Sequence, residues 1–337
     1  MVGAAAVAAH VGPSPSLAPP IPVTQDSSAA SPLAVTVSVE DRHFGLWQAE
    51  LFLARFRQIA PDPAVELVVL VSSGDGEASP YLRALEEVYP WAHFVRVPTR
   101  TGGVRPGRNF RVINKSASRR HLLDAEPRWR AYDLCVLDPD VLLLPPFLDG
   151  YLGAGAGTIR SERWRWMEPA LLREAVACLA GRGAMEVADA DAAVRDILER
   201  YALGYMFTLP AARAADFCRR WEEWTALLAQ NTACGWMSDP YATVLAAFDL
   251  GLAVERRGYT MSSEWAATRV NPSVSILHYA WPNDFFYKKH FLEPGSGPFR
   301  EASYPEQAYA EGSIGREMCR AFNEHVRARP DPLKPFV

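Results

Sequence analysis

Apolar and polar positions between residues 33 and 140 follow two alternating patterns. Short runs rich in Val, Ile and Leu are typical of buried strands, and apolar residues three or four positions apart are typical of helices. The first pattern predicts strands at 33–40, 66–71, 93–97 and 132–137, and the second predicts helices at 47–59, 81–88 and 114–123. This order of elements predicts an α/β fold in which helices flank a mixed, mainly parallel sheet.

The alternation becomes less regular after Pro145-Pro146. The remaining pattern predicts an Arg/Trp-rich turn at 160–166, helices at 169–180, 190–201 and 211–229, and strands at 203–209 and 273–279. A further helical run opens at 236–241 and continues through Leu250. Gly251 is expected to end the helix that precedes it, as glycine often does. Neither an internal repeat nor an interdomain linker is present, so we expect a single large domain.

Composition narrows the classes of function without choosing one. The 337 residues are 49% hydrophobic and 22% charged, with a net charge of −4, which argues against nucleic acid as a partner. Five cysteines lack any metal-ligand spacing and are interpreted as reduced. Residues 1–32 are rich in Ala, Pro and Ser and lack the basic start and long apolar stretch of a signal peptide or membrane anchor, so they are interpreted as a disordered leader. We expect a soluble chain without a membrane segment, with the cytoplasm slightly favoured over the Golgi lumen.

Asp138-Pro139-Asp140 is the most informative motif, because it follows directly on a predicted strand. Ligands of parallel α/β sheets bind beyond the carboxyl ends of the strands, and carboxylates there suit Mn²⁺ or Mg²⁺. The motif is therefore interpreted as a site for a cation that holds a diphosphate. A polar turn that merely closes a buried strand would have the same residues.

Three further segments carry candidate chemistry. Asp239 can be the N-cap of a helix with Pro240 at its first position, or a carboxylate that orients or deprotonates an acceptor hydroxyl. His278 ends a predicted strand and can complete a metal site, and Lys288 can neutralise a departing diphosphate. The loop at 98–110 is rich in arginine and glycine and is either a phosphate-closing loop or a solvated surface loop.

Several pieces, taken in order, resemble the GT-A glycosyltransferases, and more narrowly the hydroxyproline O-arabinosyltransferase and peptidyl serine galactosyltransferase group. The resemblance covers roughly residues 33–290 and includes Ala34-Val35-Thr36-Val37, Leu46-Trp47-Gln48, Asn114-Lys115, 132–145, Leu203-Gly204, 236–241 and His278-Tyr279. The metal motif of that group is close to Glu-Pro-Asp, so Asp138 is a conservative departure. Asp239-Pro240-Tyr241 stands where the group has Glu-Met-Tyr, which places the difference on the acceptor side.

The resemblance implies a role for each matching residue. Asp140 and His278 would bind Mn²⁺, or Mg²⁺, together with the donor diphosphate, and Asp138 would contact that cation, its water or the ribose. The donor side would also include Thr36, Asn114, Lys115 and Lys288. Gly204 would let the backbone approach the acceptor, and Asp239 would be the catalytic carboxylate.

The expected function is therefore transfer of a pentose or galactose from a UDP-sugar to a hydroxyl, on peptidyl hydroxyproline or serine, with retention. Residues 33–150 would form the nucleotide-sugar half, 151–300 the acceptor half that completes the metal site, and 301–337 a C-terminal tail or helix. Alternatives are a transferase of the same fold that acts on a glycan, lipid or small metabolite, and a non-catalytic relative that binds a nucleotide sugar or peptide. A nucleotidyltransferase ranks third, because Val39-Glu40-Asp41 replaces a glycine-rich loop after the first strand.

Overall fold

The structure is a computed structural model of the chain. It describes residues 31–59, 65–74, 76–100, 111–144, 158–164, 167–256, 261–262, 276–279, 288–299 and 304–336. The leader up to residue 30, most of the basic loop at 98–110 and the start of the last expected strand at 273–275 lie outside these ranges.

Ten strands and eight α-helices are present in the described residues. The strands are β1 Leu33–Glu40, β2 Val65–Ser73, β3 His93–Pro98, β4 Asp133–Leu137, β5 Val141–Leu143, β6 Thr158–Arg163, β7 Leu203–Leu209, β8 Ala253–Arg256, β9 Met261–Ser262 and β10 Ile276–His278. The helices are α1 His43–Ile59, α2 Pro80–Val88, α3 Asn114–Ala125, α4 Pro169–Gly181, α5 Ala190–Asp196, α6 Ala211–Asn231, α7 Ser238–Asp249 and α8 Ile314–Ala328.

Seven of the strands form one mixed sheet in the order β3-β2-β1-β4-β7-β6-β8. The pairs β3-β2, β2-β1 and β1-β4 are parallel, and β7 runs antiparallel to both of its neighbours. A second sheet has the order β5-β10-β9. The prediction of a single α/β domain with a mainly parallel sheet and flanking helices is confirmed.

The early strands expected from the sequence are present, and the turn expected at 160–166 is wrong. Thr158–Arg163 forms β6, whose Arg160 lies opposite Glu255 of β8, with 2.9 Å between the guanidinium and the carboxylate. This cross-strand pair explains why charged residues occur in a strand. The helix expected at 190–201 ends as a π-helical turn at Ile197–Tyr201.

Alternate residues of the central strands pack into two apolar layers. Leu67, Val69 and Val71 of β2 face the layer that includes α1, α2 and α8, whereas Val68 and Leu70 face the layer with α3, α4, α6 and α7. Side chains of a strand point alternately to its two faces, so both faces of the parallel strands are covered. Among the described residues, no helix has the combination of length and apolar character needed to cross a membrane.

The C-terminal residues join the first layer through a buried group of polar side chains, here called the Glu50 cluster. It consists of Glu50 of α1, Tyr81 of α2, His325 of α8 and Arg329. The Glu50 carboxylate accepts a hydrogen bond from the Tyr81 hydroxyl at 2.5 Å, pairs with His325 Nε2 at 2.6 Å and accepts from the Arg329 guanidinium at 2.6 and 2.9 Å. The cluster therefore fastens the end of the chain to α1 and α2.

Candidate active site

Asp138 and Asp140 lie where β4 leaves the main sheet and the chain turns into β5. β4 runs parallel to β1, with Leu137 opposite Val37, so the two aspartates follow the carboxyl end of a parallel strand. This is the edge at which ligands of α/β sheets bind. The position expected for the acidic pair is the observed one.

His278 reaches the same edge because β10 pairs with β5. The two strands are antiparallel, with His278 opposite Val141, the residue that follows Asp140. Ligand atoms of Asp138, Asp140 and His278 lie within 4.8 Å of one another, and His278 Nε2 is 3.3 Å from Asp140 Oδ1. Asp140 and His278 are 138 positions apart in the sequence, and one short strand pairing brings them together.

Tyr279 fixes the backbone of the acidic turn. Its amide donates to the Asp140 carbonyl at 3.1 Å, and its hydroxyl donates to the Pro139 carbonyl at 3.4 Å. Trp47 of α1 stacks on the Tyr279 ring, with 6.1 Å between centroids, and its indole donates to the Phe291 carbonyl at 3.1 Å. The turn is therefore supported by α1 and by the segment that follows Lys288.

Two lysines contact the aspartates directly. Lys115 Nζ is 2.7 Å from Asp138 Oδ1, and Lys288 Nζ donates to Asp140 Oδ2. Burial alone would raise the pKa of Asp140, but the nearby His278 and Lys288 hold it well below its usual range. Burial alone would lower the pKa of His278, and the charge of Asp140 raises it above the ordinary value. The group is thus strongly polarised, with acids and cations in contact.

Asn114 begins α3 beside Lys115 and is buried. Its side-chain oxygen accepts from the Arg100 amide at 2.7 Å, and its carbonyl accepts from the Ser38 hydroxyl at 3.4 Å. The amide nitrogen Nδ2 makes no hydrogen bond within the described residues. Asn114 therefore ties the start of the basic loop to the end of β1 and keeps one buried donor available.

Thr36 is completely buried beneath the site rather than at its surface. Its hydroxyl donates to the Cys135 carbonyl at 3.2 Å and accepts from Arg119 Nε at 3.0 Å. The structure thus brings Lys115 and Lys288 to the acidic pair and places Asn114 next to Lys115 at the start of α3, but Thr36 lies one layer below. A direct contact of Thr36 with the donor stays a prediction.

Asp239 lies in the first turn of α7 and is not its N-cap, so that expectation is wrong. A 3-10 turn at Gly235–Met237 runs straight into the helix, which begins at Ser238, and Met237 already has helical dihedral angles. Pro240 is still tolerated there, because the amides of the first turn have no partner within the helix. Asp239 is therefore free of a capping role.

The Asp239 carboxylate is buried, and its Oδ1 has no hydrogen bond within the described residues. Burial raises its pKa to about 6, the charge of Asp138 acts in the same direction, and Lys115 and Arg119 act against it. Asp239 is therefore coupled electrostatically to Asp138, one of the candidate metal ligands. An acid with a pKa near neutrality is suited to exchange a proton with a substrate.

Gly204 is placed within the main sheet, in β7. Its amide donates to the Ser161 hydroxyl of β6 at 2.9 Å, and Ser161 in turn donates to the Met206 carbonyl at 3.0 Å. The hydroxyl compensates for an irregularity of register between β6 and β7 at this point. Its expected closeness to an acceptor stays a prediction.

The three clustered residues fit a divalent cation of the manganese or magnesium type. Two carboxylates and one imidazole offer hard oxygen ligands and one nitrogen, a set that suits Mn²⁺ well and that leaves positions for phosphate oxygens. Their mutual distances agree with ligation of one ion. The chemistry of these three ligands thus supports the metal site expected from the sequence.

Arg119 is the residue of this region that sequence reasoning missed. It belongs to α3, is completely buried and contacts Thr36, Lys115 and Leu137. One signal was available, since Arg119 lies three residues before the buried Leu122 and therefore on the apolar face of the helix. A cation on such a face indicates a buried role.

Comparison with known proteins shows which fold the chain shares. No family model matches the sequence, and no curated protein matches it either. Among solved structures, the galactosyltransferase LgtC in complex with donor and acceptor sugar analogues is 13% identical, with a TM-score of 0.50, over 90% of this chain and 100% of LgtC. An active-site mutant of LgtC gives 11% identity and a TM-score of 0.52 over the same shares. The chain has the GT-A glycosyltransferase fold.

Another structural neighbour is a much longer protein. The apo structure of WbbM, described as a bifunctional glycosyltransferase, is 12% identical with a TM-score of 0.48 and matches 94% of this chain. This chain spans about half of WbbM, 52% of its length. At such identities the GT-A likeness concerns the fold, and the chemistry has to be argued from the site.

Proposed function

We propose that the chain is a metal-dependent glycosyltransferase that moves a sugar from a UDP-sugar to a hydroxyl acceptor. The observation that carries the proposal is the cluster of Asp138, Asp140 and His278 with Lys115 and Lys288 at the carboxyl end of β4. Carboxylates hold a cation and ammonium groups hold phosphate oxygens, so one site offers both halves of diphosphate recognition. The GT-A fold agrees with this chemistry.

Three sets of residues would hold the donor. Asp138, Asp140 and His278 would ligate Mn²⁺ or Mg²⁺, which when bound supplies positive charge against the diphosphate. Lys115 and Lys288 would bind phosphate oxygens, and Asn114 has a buried amide donor to offer. We assign a pentose or galactose donor from the group that the sequence resembles.

Asp239 would act on the acceptor side. Its buried carboxylate has an open oxygen and a pKa raised by burial to about 6, so it can orient an acceptor hydroxyl by accepting its hydrogen bond. During transfer, the bond between the anomeric carbon and the diphosphate oxygen breaks and leaves its electron pair on the diphosphate. The acceptor oxygen then bonds to the anomeric carbon, and its proton passes to the departing diphosphate. With retention, this exchange takes place on one face of the sugar and needs no protein nucleophile.

A peptide with hydroxyproline or serine is the acceptor we propose first, from the same resemblance. A glycan is the second candidate, and Trp236 favours it. This side chain is 62% exposed in the turn just before Asp239, and a flat ring in that place suits the apolar face of a sugar. Transfer assays with hydroxyproline peptide, serine peptide and oligosaccharide acceptors distinguish the two candidates. Replacement of Trp236 by Ala should reduce transfer to the oligosaccharide and leave transfer to the peptides unchanged.

The test of the proposal is thermal unfolding with a panel of nucleotide sugars, each with and without Mn²⁺. A ligand at one hundred times its Kd adds about 2.7 kcal/mol to the free energy of unfolding, which is a readily measured shift in Tm. At least one UDP-sugar should raise the Tm only when Mn²⁺ is present. Shifts that are absent or independent of metal for every UDP-sugar would exclude the proposed donor.

A further inference from the structure

Arg119 is a buried cation that makes no ion pair with a carboxylate among the described residues. Its guanidinium donates to four neutral oxygens: Thr36 Oγ1 at 3.0 Å and the carbonyls of Thr36 at 2.9 Å, Lys115 at 2.7 Å and Leu137 at 3.3 Å. The Trp221 ring lies against it, with 5.9 Å from Cζ to the ring centroid. Its side chain is 0% exposed.

Such an arginine is costly for the fold. A buried charge loses its hydration, and apolar residues of similar volume in its place are often neutral or stabilising. Burial lowers the pKa of Arg119 to about 10, and the charges of Asp138 and Asp239 partly oppose that effect. Arg119 is therefore still a cation at neutral pH, and the carboxylates that it attracts belong to the site.

The hydrogen bonds of Arg119 end at the residues that carry the site. The Lys115 carbonyl lies in the first turn of α3, and the Leu137 carbonyl directly precedes Asp138. The guanidinium thus spans the backbone on both sides of the contact between Lys115 and Asp138. Arginine suits this task because its planar fork fixes several acceptors in one geometry, which the flexible ammonium of lysine cannot do.

We infer that Arg119 is a positioning residue, which holds Lys115 and Asp138 in register and keeps a permanent positive charge behind Asp138 and Asp239. The ligand part of this inference rests on the proposed function, whereas the geometric part concerns the protein alone. Loss of the fork should therefore disturb donor binding and catalysis even where the fold survives.

The experiment compares three variants. Arg119→Lys keeps the charge and loses the fork, and Arg119→Met loses both. Arg120→Met is the matched control, because Arg120 is the next residue of α3 and forms ion pairs with Glu222 and Glu223 on the partly exposed surface of that helix. Calorimetric titration with Mn²⁺ and UDP, at a temperature where circular dichroism shows folded protein, gives the affinity. Steady-state assays give kcat and KM separately.

Supporting residues of a metal site typically contribute about tenfold to a hundredfold to affinity or activity. We expect Arg119→Lys to lose about tenfold in affinity for UDP with Mn²⁺ and in kcat, and Arg119→Met to lose about a hundredfold. Arg120→Met should stay within about twofold of the wild type, since it removes only ion pairs at a partly exposed surface. If both Arg119 variants melt earlier but bind and turn over as the wild type does, Arg119 is structural and the inference is wrong.

Two further measurements keep the test decisive. If Arg119→Met does not fold, Thr36→Val removes the hydroxyl acceptor of the fork without touching the charge, and a loss of kcat smaller than that of Arg119→Lys is expected. A crystal structure of Arg119→Lys should show Lys115 Nζ more than about 4 Å from Asp138 Oδ1, beyond ion-pair distance. A contact unchanged from 2.7 Å overturns the inference. A wild type that binds no UDP contradicts the proposed function alone, since this distance is measured without a ligand.

Discussion

Two buried groups of charged side chains among the described residues differ in how completely their hydrogen bonds are made. In the Glu50 cluster, each carboxylate oxygen has two partners, drawn from Tyr81, His325 and Arg329. In the candidate active site, the buried Asp239 Oδ1 and Asn114 Nδ2 make no hydrogen bond within the described residues.

This difference in hydrogen bonding indicates that the Glu50 cluster stabilises the fold and that the candidate site binds a ligand. An unpaired buried polar group costs stability, whereas a fully paired one can hold elements together. The Glu50 cluster has no capacity left for a ligand and therefore serves the fold. The candidate site keeps unused capacity at a place where acids and cations converge, which is typical of sites that bind and transform a ligand.

The largest effect is expected from Asp140→Asn. This change removes one proposed metal ligand and leaves His278 and Lys288 without their partner, so we expect kcat/KM to fall at least about a thousandfold, or about 4 kcal/mol in barrier. Release of UDP from a UDP-sugar measures it. Asp191→Asn, at an exposed ion pair with Arg173, is the control and should keep wild-type activity. Wild-type turnover by Asp140→Asn would place the metal elsewhere.

Glu50→Gln is expected to reduce stability and to leave activity unchanged. Removal of this charge leaves His325 and Arg329 buried without a counter-ion, and breaking such a group typically costs about 3 kcal/mol or more. Urea unfolding should show that loss, while the folded enzyme keeps its kcat. A reduced kcat with unchanged stability would contradict the division between the two groups.

Asp239→Asn should have two opposite effects. Because burial raises the pKa of Asp239 to about 6 from the ordinary 3.8, its charged form destabilises the fold at neutral pH. The variant is therefore expected to gain about 2 kcal/mol of unfolding free energy at pH 7, the value that such a shift implies less the cost of burying an amide. Its kcat should fall. A variant that is less stable and fully active would show that Asp239 is structural.

The smallest effects, and the sharpest contrast, lie in the pH dependence of these variants. The stability that Asp239 contributes is present below pH 3.8 and lost as pH rises through about 6, so the advantage of Asp239→Asn should grow between those values. Burial alone would raise the pKa of Glu50, but the hydrogen bonds of His325 and Arg329 lower it below 4.5. Its contribution is present above pH 4.5 and lost as pH falls through the lowered value.

These profiles are measured by urea unfolding of each variant and the wild type at several pH values. In acid, the deficit of Glu50→Gln should shrink, whereas the gain of Asp239→Asn should disappear. Parallel pH profiles for the two variants would remove the electrostatic basis of the comparison.

Sequence patterns predicted those parts of the fold that depend on local periodicity. The parallel strands are continuous apolar runs, so β1, β2 and β4 were found close to their observed bounds. β6 was missed because its polar residues are stabilised by a partner, Glu255, far along the chain. A pattern read along the sequence contains no record of such a pairing.

The candidate site divides in the same way. Asp138 and Asp140 were predicted because they follow a strand-like run, and His278 was predicted because it lies at the end of another. Arg119 was missed, since three of its four acceptors are backbone carbonyls, which any residue provides. The N-cap expected at Asp239 failed because a 3-10 turn, which starts at Gly235 with a φ of 57°, extends the helix backwards.

The pairing of β5 with β10 has a consequence for the order in which the protein matures during synthesis. Lys115, Asp138 and Asp140 leave the ribosome well before His278 and Lys288, so the nascent chain has the acids long before it has the partners that complete their site. A chain that stops short of β10 therefore lacks His278, one of the three clustered residues. The proposed metal site would thus be complete only once the chain has been made beyond residue 278 and β10 has paired with β5.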